Sequence, residues 1–244
     1  MSGIDIVRMR EYIELMWEES VLPSLEDFVR IPAQSPAFDS DWASRGELDD
    51  VIELFSSWLD SIGLDGMSYK VHQIDGRSPI LIIDIAGSAP GDVLFYSHLD
   101  KQPPVTELWS EGKHPFEPVR EDPYLFGRGS VDDGYGGYLC ALAVKSLQEM
   151  GLPHPRCRFL IETCEESGSY DLPAYLDKYQ NEIGSPNLIV VLDSGAGDYE
   201  NIWVTESLRG LVGGMLRVEA VSYTHLRAHE TDSYRVCRRL LEKK

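Results

Sequence analysis

Long apolar runs are missing from this chain. None approaches the roughly 18 residues that a membrane span needs, so no membrane partner is expected. The N-terminal stretch "MSGIDIVRMREYIELMWEES" is interrupted by acids, which is not the pattern of a secretory signal, and the cytoplasm is the expected compartment. Cysteine is scarce: Cys140, Cys157, Cys164 and Cys237 form neither a CxxC pair nor a framework of disulfides, which excludes a thiolate zinc site of the usual spacing and predicts reduced, mostly core-packed thiols. Basic residues are outnumbered, 22 Lys and Arg against 41 Asp and Glu, for a formal charge of −19. Such a surface repels phosphates, so nucleic acid is excluded as a partner. No internal repeat is visible.

What is present is an ordinary soluble core, with 43% hydrophobic residues in 244, enough for one good-sized domain or one domain and part of another. Apolar positions recur at helical spacing over residues 5–30 (Ile6, Met9, Ile13, Met16, Leu22) until "RIPAQSPAFDS" breaks them with prolines. A second helix is predicted over Glu47–Ile62. "SYKVHQID" and "PILIIDIAG" then read as a hairpin closed through "DGRS", and "DVLFYSHLD" as a short strand. A long polar loop follows from about residue 101 to 130. "YLCALAVKSLQEMG" is helical, residues 157–163 form a strand, a helix is predicted near 172–182, and "NLIVVLD" is a last strand. Helices alternating with continuous apolar strands predict an α/β fold, a sheet layered between helices.

Ligands of open α/β sheets collect beyond the carboxyl ends of the strands. Three strands here end in metal-binding side chains: "VLFYSHLD" in His98 and Asp100, "RFLIETCEE" in Glu165 and Glu166, "LIVVLD" in Asp193. A fourth acid, Asp132, lies in the glycine-rich loop that opens a helix, near the positive end of its dipole. A lone histidine at a strand end is ordinarily packed or solvated, and a single aspartate before a turn is ordinarily a turn former. Turn chemistry does not explain the coincidence at three strand ends and a helix start. One imidazole with several carboxylates suits zinc, or cobalt or manganese, better than a thiolate structural site. The number of acids suggests two ions sharing a bridging carboxylate. Adjacent residues of an extended segment point in different directions, so of Glu165 and Glu166 one can bind metal while the other takes a proton from water.

These motifs resemble those of the zinc-dependent aminoacylase, carnosinase and glutamate-carboxypeptidase type metallopeptidases. "SHLD" is similar to the family's His-x-Asp motif, "GRGSVDDG" to its Gly-Arg-Gly-x-x-Asp motif, "EESGS" to its Glu-Glu motif and "LDSG" to its following Asp motif. "HLDKQPP", the loop through "YLFGRG" and "TESLRGLVGGMLRVE" resemble the dipeptidase branch most. The resemblance implies a three-layer α/β/α catalytic domain of zinc-peptidase type. It implies that His98 and Asp193 bind one zinc, that Asp132 bridges, that Glu166 binds the second zinc, that Asp100 orients His98 and that Glu165 is the general base. It implies a small peptide substrate cleaved by water activated between two metals. A deacylase of N-acyl amino acids is the alternative, since the same centre serves it.

The family pattern also implies parts that do not follow here: an inserted dimerisation domain, through which a homodimer would form, and a returning half with a last histidine ligand and the substrate-carboxylate site. The expected division is residues 1–205 for the first part of the catalytic domain, 206–220 for the first strand of the dimerisation domain, and 221–244 for a segment foreign to the family. That last segment carries six basic against three acidic residues, and "SYTHLRAHET" resembles translated sequencing-adapter DNA. His225 and His229, an i, i+4 pair within it, are rejected as metal ligands. The third reading is therefore an inactive fragment, or a binding protein on a peptidase scaffold. Of the other histidines, His72 is expected to be structural, and His114 and His154 solvated.

Overall fold

The computed structural model describes residues 5–198, 200–208 and 210. The predicted N-terminal helical run forms as α1 (Ile6–Met16), a π-helical turn at Trp17–Val21, and α2 (Leu22–Arg30). After the proline-rich break comes a short helix that the sequence reading did not anticipate, α3 (Trp42–Arg45), and then α4 (Glu47–Ile62) at the predicted bounds. Acids Glu47, Asp49 and Asp50 occupy the first turn of α4, where they complement its dipole. Its Leu48, Val51, Ile52, Phe55, Leu59 and Ile62 recur at three- and four-residue spacing and are buried on one face.

The hairpin is β1 (Met67–His72) with β2 (Ile80–Ile85), and the short strand is β3 (Asp92–His98). The long loop contains structure that its polar, proline-rich composition concealed: a small antiparallel ribbon of β4 (Val119–Glu121) and β5 (Tyr124–Phe126). α5 (Tyr135–Glu149), β6 (Arg156–Glu162) and β7 (Leu188–Val191) match the predicted elements. The helix expected at 172–182 is two, α6 (Leu172–Lys178) and α7 (Gln180–Ile183), because Tyr179 leaves helical geometry between them.

The main sheet runs β1-β2-β6-β3-β7. β3 lies between β6 and β7 and is parallel to both, so these three strands end at the same edge. Alternation along β2 makes the layers. Leu81, Ile83 and Ile85 join α2, α4 and α5 in the larger core, with Phe55 and Tyr138 ring centroids 4.9 Å apart. Ile80 and Ile82 turn to the opposite face and pack with Leu94, Leu160, Tyr175 and Ile183 under α6 and α7. Helices thus cover both faces of the sheet, the three-layer α/β/α arrangement. β7 is the exception: Leu188, Ile189 and Val191 are exposed on that edge.

Cys140, Cys157 and Cys164 are free and buried, as predicted; Cys237 lies outside the described residues. His72 stacks on Tyr179 at 3.9 Å and reaches Glu182 through Nε2 at 3.2 Å, a structural role. His114 is exposed. His154, expected in solvent, is instead buried, its Nε2 3.1 Å from Gln148 Nε2 and its Nδ1 2.8 Å from the Pro155 carbonyl. The turn folds back onto α5, which a reading of turn composition does not reveal. A second unit of the chain begins at Trp203; its described residues, 203–208 and 210, carry no helix or strand. Most of 206–220 and all of 221–244, including His225 and His229, lie outside the described residues.

One buried cation joins the helical layer to the sheet. Lys101, fully buried, donates from Nζ to the carbonyl oxygens of Phe28 (2.5 Å) and Ile31 (2.6 Å) at the end of α2 and lies 3.9 Å from the Phe28 ring centroid. Gly129, at φ +82°, passes so close that a Cβ there would stand 2.8 Å from Lys101 Cε. The Phe28 and Ile31 carbonyls also accept from the backbone N–H groups of Ile31 (3.2 Å) and Ala33 (2.9 Å), so Lys101 Nζ gives each a second hydrogen bond. Lys101→Met keeps the volume and removes the donor. We expect it to lower unfolding free energy by about 2 kcal/mol, the loss of two buried hydrogen bonds whose acceptors keep their backbone donors, measured by urea denaturation.

Candidate metal centre

The parallel ends of β3, β6 and β7 bring the acidic and imidazole groups to one place. His98, at the last position of β3, is fully buried. Its Nδ1 lies 3.1 Å from the Asp100 carbonyl oxygen and 3.4 Å from Asp100 Oδ1. A donor bond from Nδ1 directs the lone pair of Nε2 away from Asp100. Nε2 lies 3.3 Å from Asp132 Oδ1, 3.5 Å from Asp193 Oδ2 and 3.9 Å from Glu165 Oε2, yet it is buried without a hydrogen bond to any of them.

A lone pair facing three anionic oxygens is repulsive unless a positive charge intervenes. Burial opposes charge on the ring, but the carboxylates of Asp100, Asp132 and Asp193 outweigh it and move the imidazole pKa far above the usual histidine range. The His98 interaction in turn holds Asp132 below the usual carboxylate range. The site therefore demands a cation, and its donors are those that divalent metals take. The ligand atoms of His98, Asp132 and Glu166 lie within 4.8 Å of one another, and so do those of His98, Glu165 and Asp193. The residues present fit a metal.

Asp132 reaches the site from the loop before α5, where the Asp132–Asp133 peptide is cis. Asp133 turns inward: its Oδ2 accepts from the His98 backbone N–H at 3.3 Å, and burial pushes its carboxyl up to about 7. Gly136 makes room for it, since a Cβ there would stand 2.4 Å from Asp133 Oδ1. Asp133 is a site residue that sequence reasoning missed, although the "DD" pair displayed it.

The two glutamates occupy a 3-10 turn at Glu165–Ser167. Asp100, expected to orient His98, holds this turn as well. Its Oδ1 accepts from the Glu165 backbone N–H (3.1 Å) and its Oδ2 from that of Glu166 (3.0 Å). Ser167 Oγ shares a 2.5 Å hydrogen bond with the buried Ser35 and accepts from the Ala37 backbone N–H at 2.8 Å. Ser169 donates to Glu162 Oε1 at 2.8 Å, as does Tyr96 at 2.5 Å, and burial pushes the Glu162 carboxyl up to about 7. None of these supports carries a periodicity or motif signal.

The carboxylates of the turn differ. Glu166 accepts from Gln102 Nε2 at 2.5 Å through Oε2, while its Oε1 is buried with no partner; burial, against that bond, pushes it up to about 7. Glu165, about one third exposed, is raised first by burial and then by the charges of Asp193, Asp100 and Asp132, with His98 opposing. One carboxylate is held and the other is loose. All six predicted site residues, His98, Asp100, Asp132, Glu165, Glu166 and Asp193, are thus brought together.

The chain is similar to known proteins. A curated relative, an uncharacterized metallohydrolase of Methanocaldococcus jannaschii, is 25% identical over 79% of this chain and 50% of its own length. The human Beta-Ala-His dipeptidase is 28% identical over 80% of this chain and 38% of its own. The crystal structure of human carnosine dipeptidase 1 superposes with a TM-score of 0.62 at 26% identity, covering 77% of this chain and 41% of that one. The chain spans half or less of the length of these relatives. Residues 94–229 match the family described as Peptidase family M20/M25/M40, so the match includes the whole of the site and ends inside the segment expected to be foreign. With more than half of its length so matched, the chain belongs to peptidase family M20/M25/M40.

Proposed function

We propose that the protein to which this chain belongs is a metal-dependent hydrolase that cleaves dipeptides or short peptides, with water as the nucleophile. The family is metal-dependent, and relatives are named as dipeptidases. The observation that carries the reading is the buried Nε2 of His98, faced by the oxygens of Asp132, Asp193 and Glu165 and hydrogen-bonded to none. We assign His98 and Asp193 to one divalent ion, Glu166 to a second and Asp132 to both; zinc suits this donor set best, with cobalt or manganese as substitutes. Such ions polarise a substrate carbonyl and acidify water.

The remaining chemistry belongs to the chain. Glu165 carries no hydrogen-bonded partner on its carboxylate among the described residues and faces the same pocket. Its Oε2 takes the proton of the attacking water and returns it to the departing amine. A carboxyl raised above its ordinary value suits that two-way task better than a strongly acidic one. Asp100 fixes the His98 tautomer and anchors the turn that carries both glutamates.

Zinc in hundredfold excess over its Kd is expected to stabilise the fold by about 2.7 kcal/mol, seen as a rise in Tm that a chelator reverses; an unchanged Tm would count against a metal centre. Glu165→Gln is expected to lower kcat on dipeptides by about 10²–10⁴-fold while elemental analysis still finds bound metal. Turnover of N-acetyl amino acids in place of dipeptides would move the assignment to a deacylase. Asp100→Ala strands the backbone donors of Glu165 and Glu166 and frees the imidazole. It is expected to weaken zinc affinity by about 10–100-fold, measured by competition with a chromogenic chelator.

A further inference from the structure

Gln102 lies two residues beyond Asp100, on the same stretch of chain that carries His98. Side chains of an extended segment alternate in direction. His98, Asp100 and Gln102 accordingly face the site, whereas Lys101 points the opposite way into the carbonyls at the end of α2. Residue 101 is fixed on its backbone too: its N–H donates to the Ala33 carbonyl at 2.9 Å, and its carbonyl accepts from the Ser35 N–H at 3.0 Å. With Lys101 immobilised from both sides, Gln102 has a defined place from which to reach the turn of the two glutamates.

Gln102 makes there the one side-chain hydrogen bond that Glu166 accepts among the described residues, from Nε2 to Oε2 at 2.5 Å. The other oxygen, Oε1, is buried and unpartnered, and a ligand atom of Glu166 lies within 4.8 Å of those of His98 and Asp132. An amide that donates to one carboxylate oxygen fixes the plane of the group and leaves the other oxygen to take a cation.

We propose that Gln102 is a positioning residue for Glu166, holding Oε2 so that Oε1 is presented to the divalent cation that Glu166 would hold together with Asp132. This rests on the metal-hydrolase reading of the site. Gln102 touches neither substrate nor metal in this role; it acts through Glu166.

The test is isothermal titration of the 244-residue chain with zinc, for wild type, Gln102→Met, Gln102→Glu, Glu166→Gln and the double variant Gln102→Met with Glu166→Gln. Methionine keeps the length and packing of glutamine and removes the donor. Gln102→Met is expected to weaken zinc binding by about 10–100-fold, and Gln102→Glu by more, since two carboxylates then face each other. In the Glu166→Gln background the methionine variant is expected to cause no further loss, because the carboxylate ligand that Gln102 positions is already gone. Thermal melts of the zinc-free proteins verify that each variant is folded. Wild-type affinity in Gln102→Met overturns the proposal, as does an equal loss in the presence and absence of the Glu166 carboxylate, which is the signature of a general structural defect. A wild-type chain that takes up no zinc overturns the metal-site reading itself, and this proposal with it.

Discussion

An imidazole nitrogen buried among carboxylate oxygens is the constraint on which the rest of this molecule depends. The Nε2 lone pair of His98 meets Asp132, Asp193 and Glu165 within 4 Å, and each of those anions repels the others. In water such a cluster disperses. Here the backbone prevents dispersal: His98 closes β3, the Glu165–Ser167 turn closes β6, and Asp193 follows β7, three parallel neighbours whose ends cannot separate without breaking the sheet. The sheet is stabilised by apolar burial on both faces, and that stability holds an electrostatically unfavourable arrangement in place.

Asp100 shows how part of that repulsion is relieved. Its carboxylate is as buried as the imidazole, yet both of its oxygens accept backbone N–H groups from the turn of the glutamates. A buried anion with two donors is a tolerable one. The same pair of bonds transfers the position of β3 to the end of β6, so that the histidine and the glutamates are located relative to each other by a single side chain and not by the accumulated geometry of a chain separation of 65. Lys101 extends the linkage in the opposite direction, to α2, and Ser35 with Ser167 ties in the loop that follows that helix.

Much of this was legible in the sequence, for definite reasons. "ILIID", "VLFYSH" and "RFLIE" are apolar on both faces because the strands they form are covered on both faces, and the polar residues that end them stand out against such a background. The ligand types were visible because no turn requires them at three strand ends together. The β4–β5 ribbon was concealed because its strands are three residues long and lie between prolines, too short for an alternation to register. The division at Tyr179 and the burial of His154 were concealed because both depend on packing partners distant in sequence. Asp133, Glu162, Ser35 and Gln102 escaped notice because they act through hydrogen bonds to backbone or to other site residues, and such bonds leave no period behind.

The adjacent glutamates illustrate how a structure differentiates two identical side chains. Glu165 and Glu166 share a turn, a net charge and a common upward displacement of their acidity caused first by burial. Composition cannot tell them apart. Their surroundings do: Glu166 has one oxygen fixed by Gln102 and the other withdrawn from solvent, whereas Glu165 stays partly open to it. A metal ligand requires a fixed oxygen in a dry place, and a proton carrier requires a mobile one within reach of water. In the proposed mechanism, the division of labour between the two is a matter of which carboxylate is hydrogen-bonded from the side. That in turn follows from the alternation of His98, Asp100 and Gln102 along one extended stretch of chain. On this view the identity of residue 102 matters to the chemistry as much as the spacing of the acids does, since the spacing supplies two equivalent carboxylates and the amide makes them different.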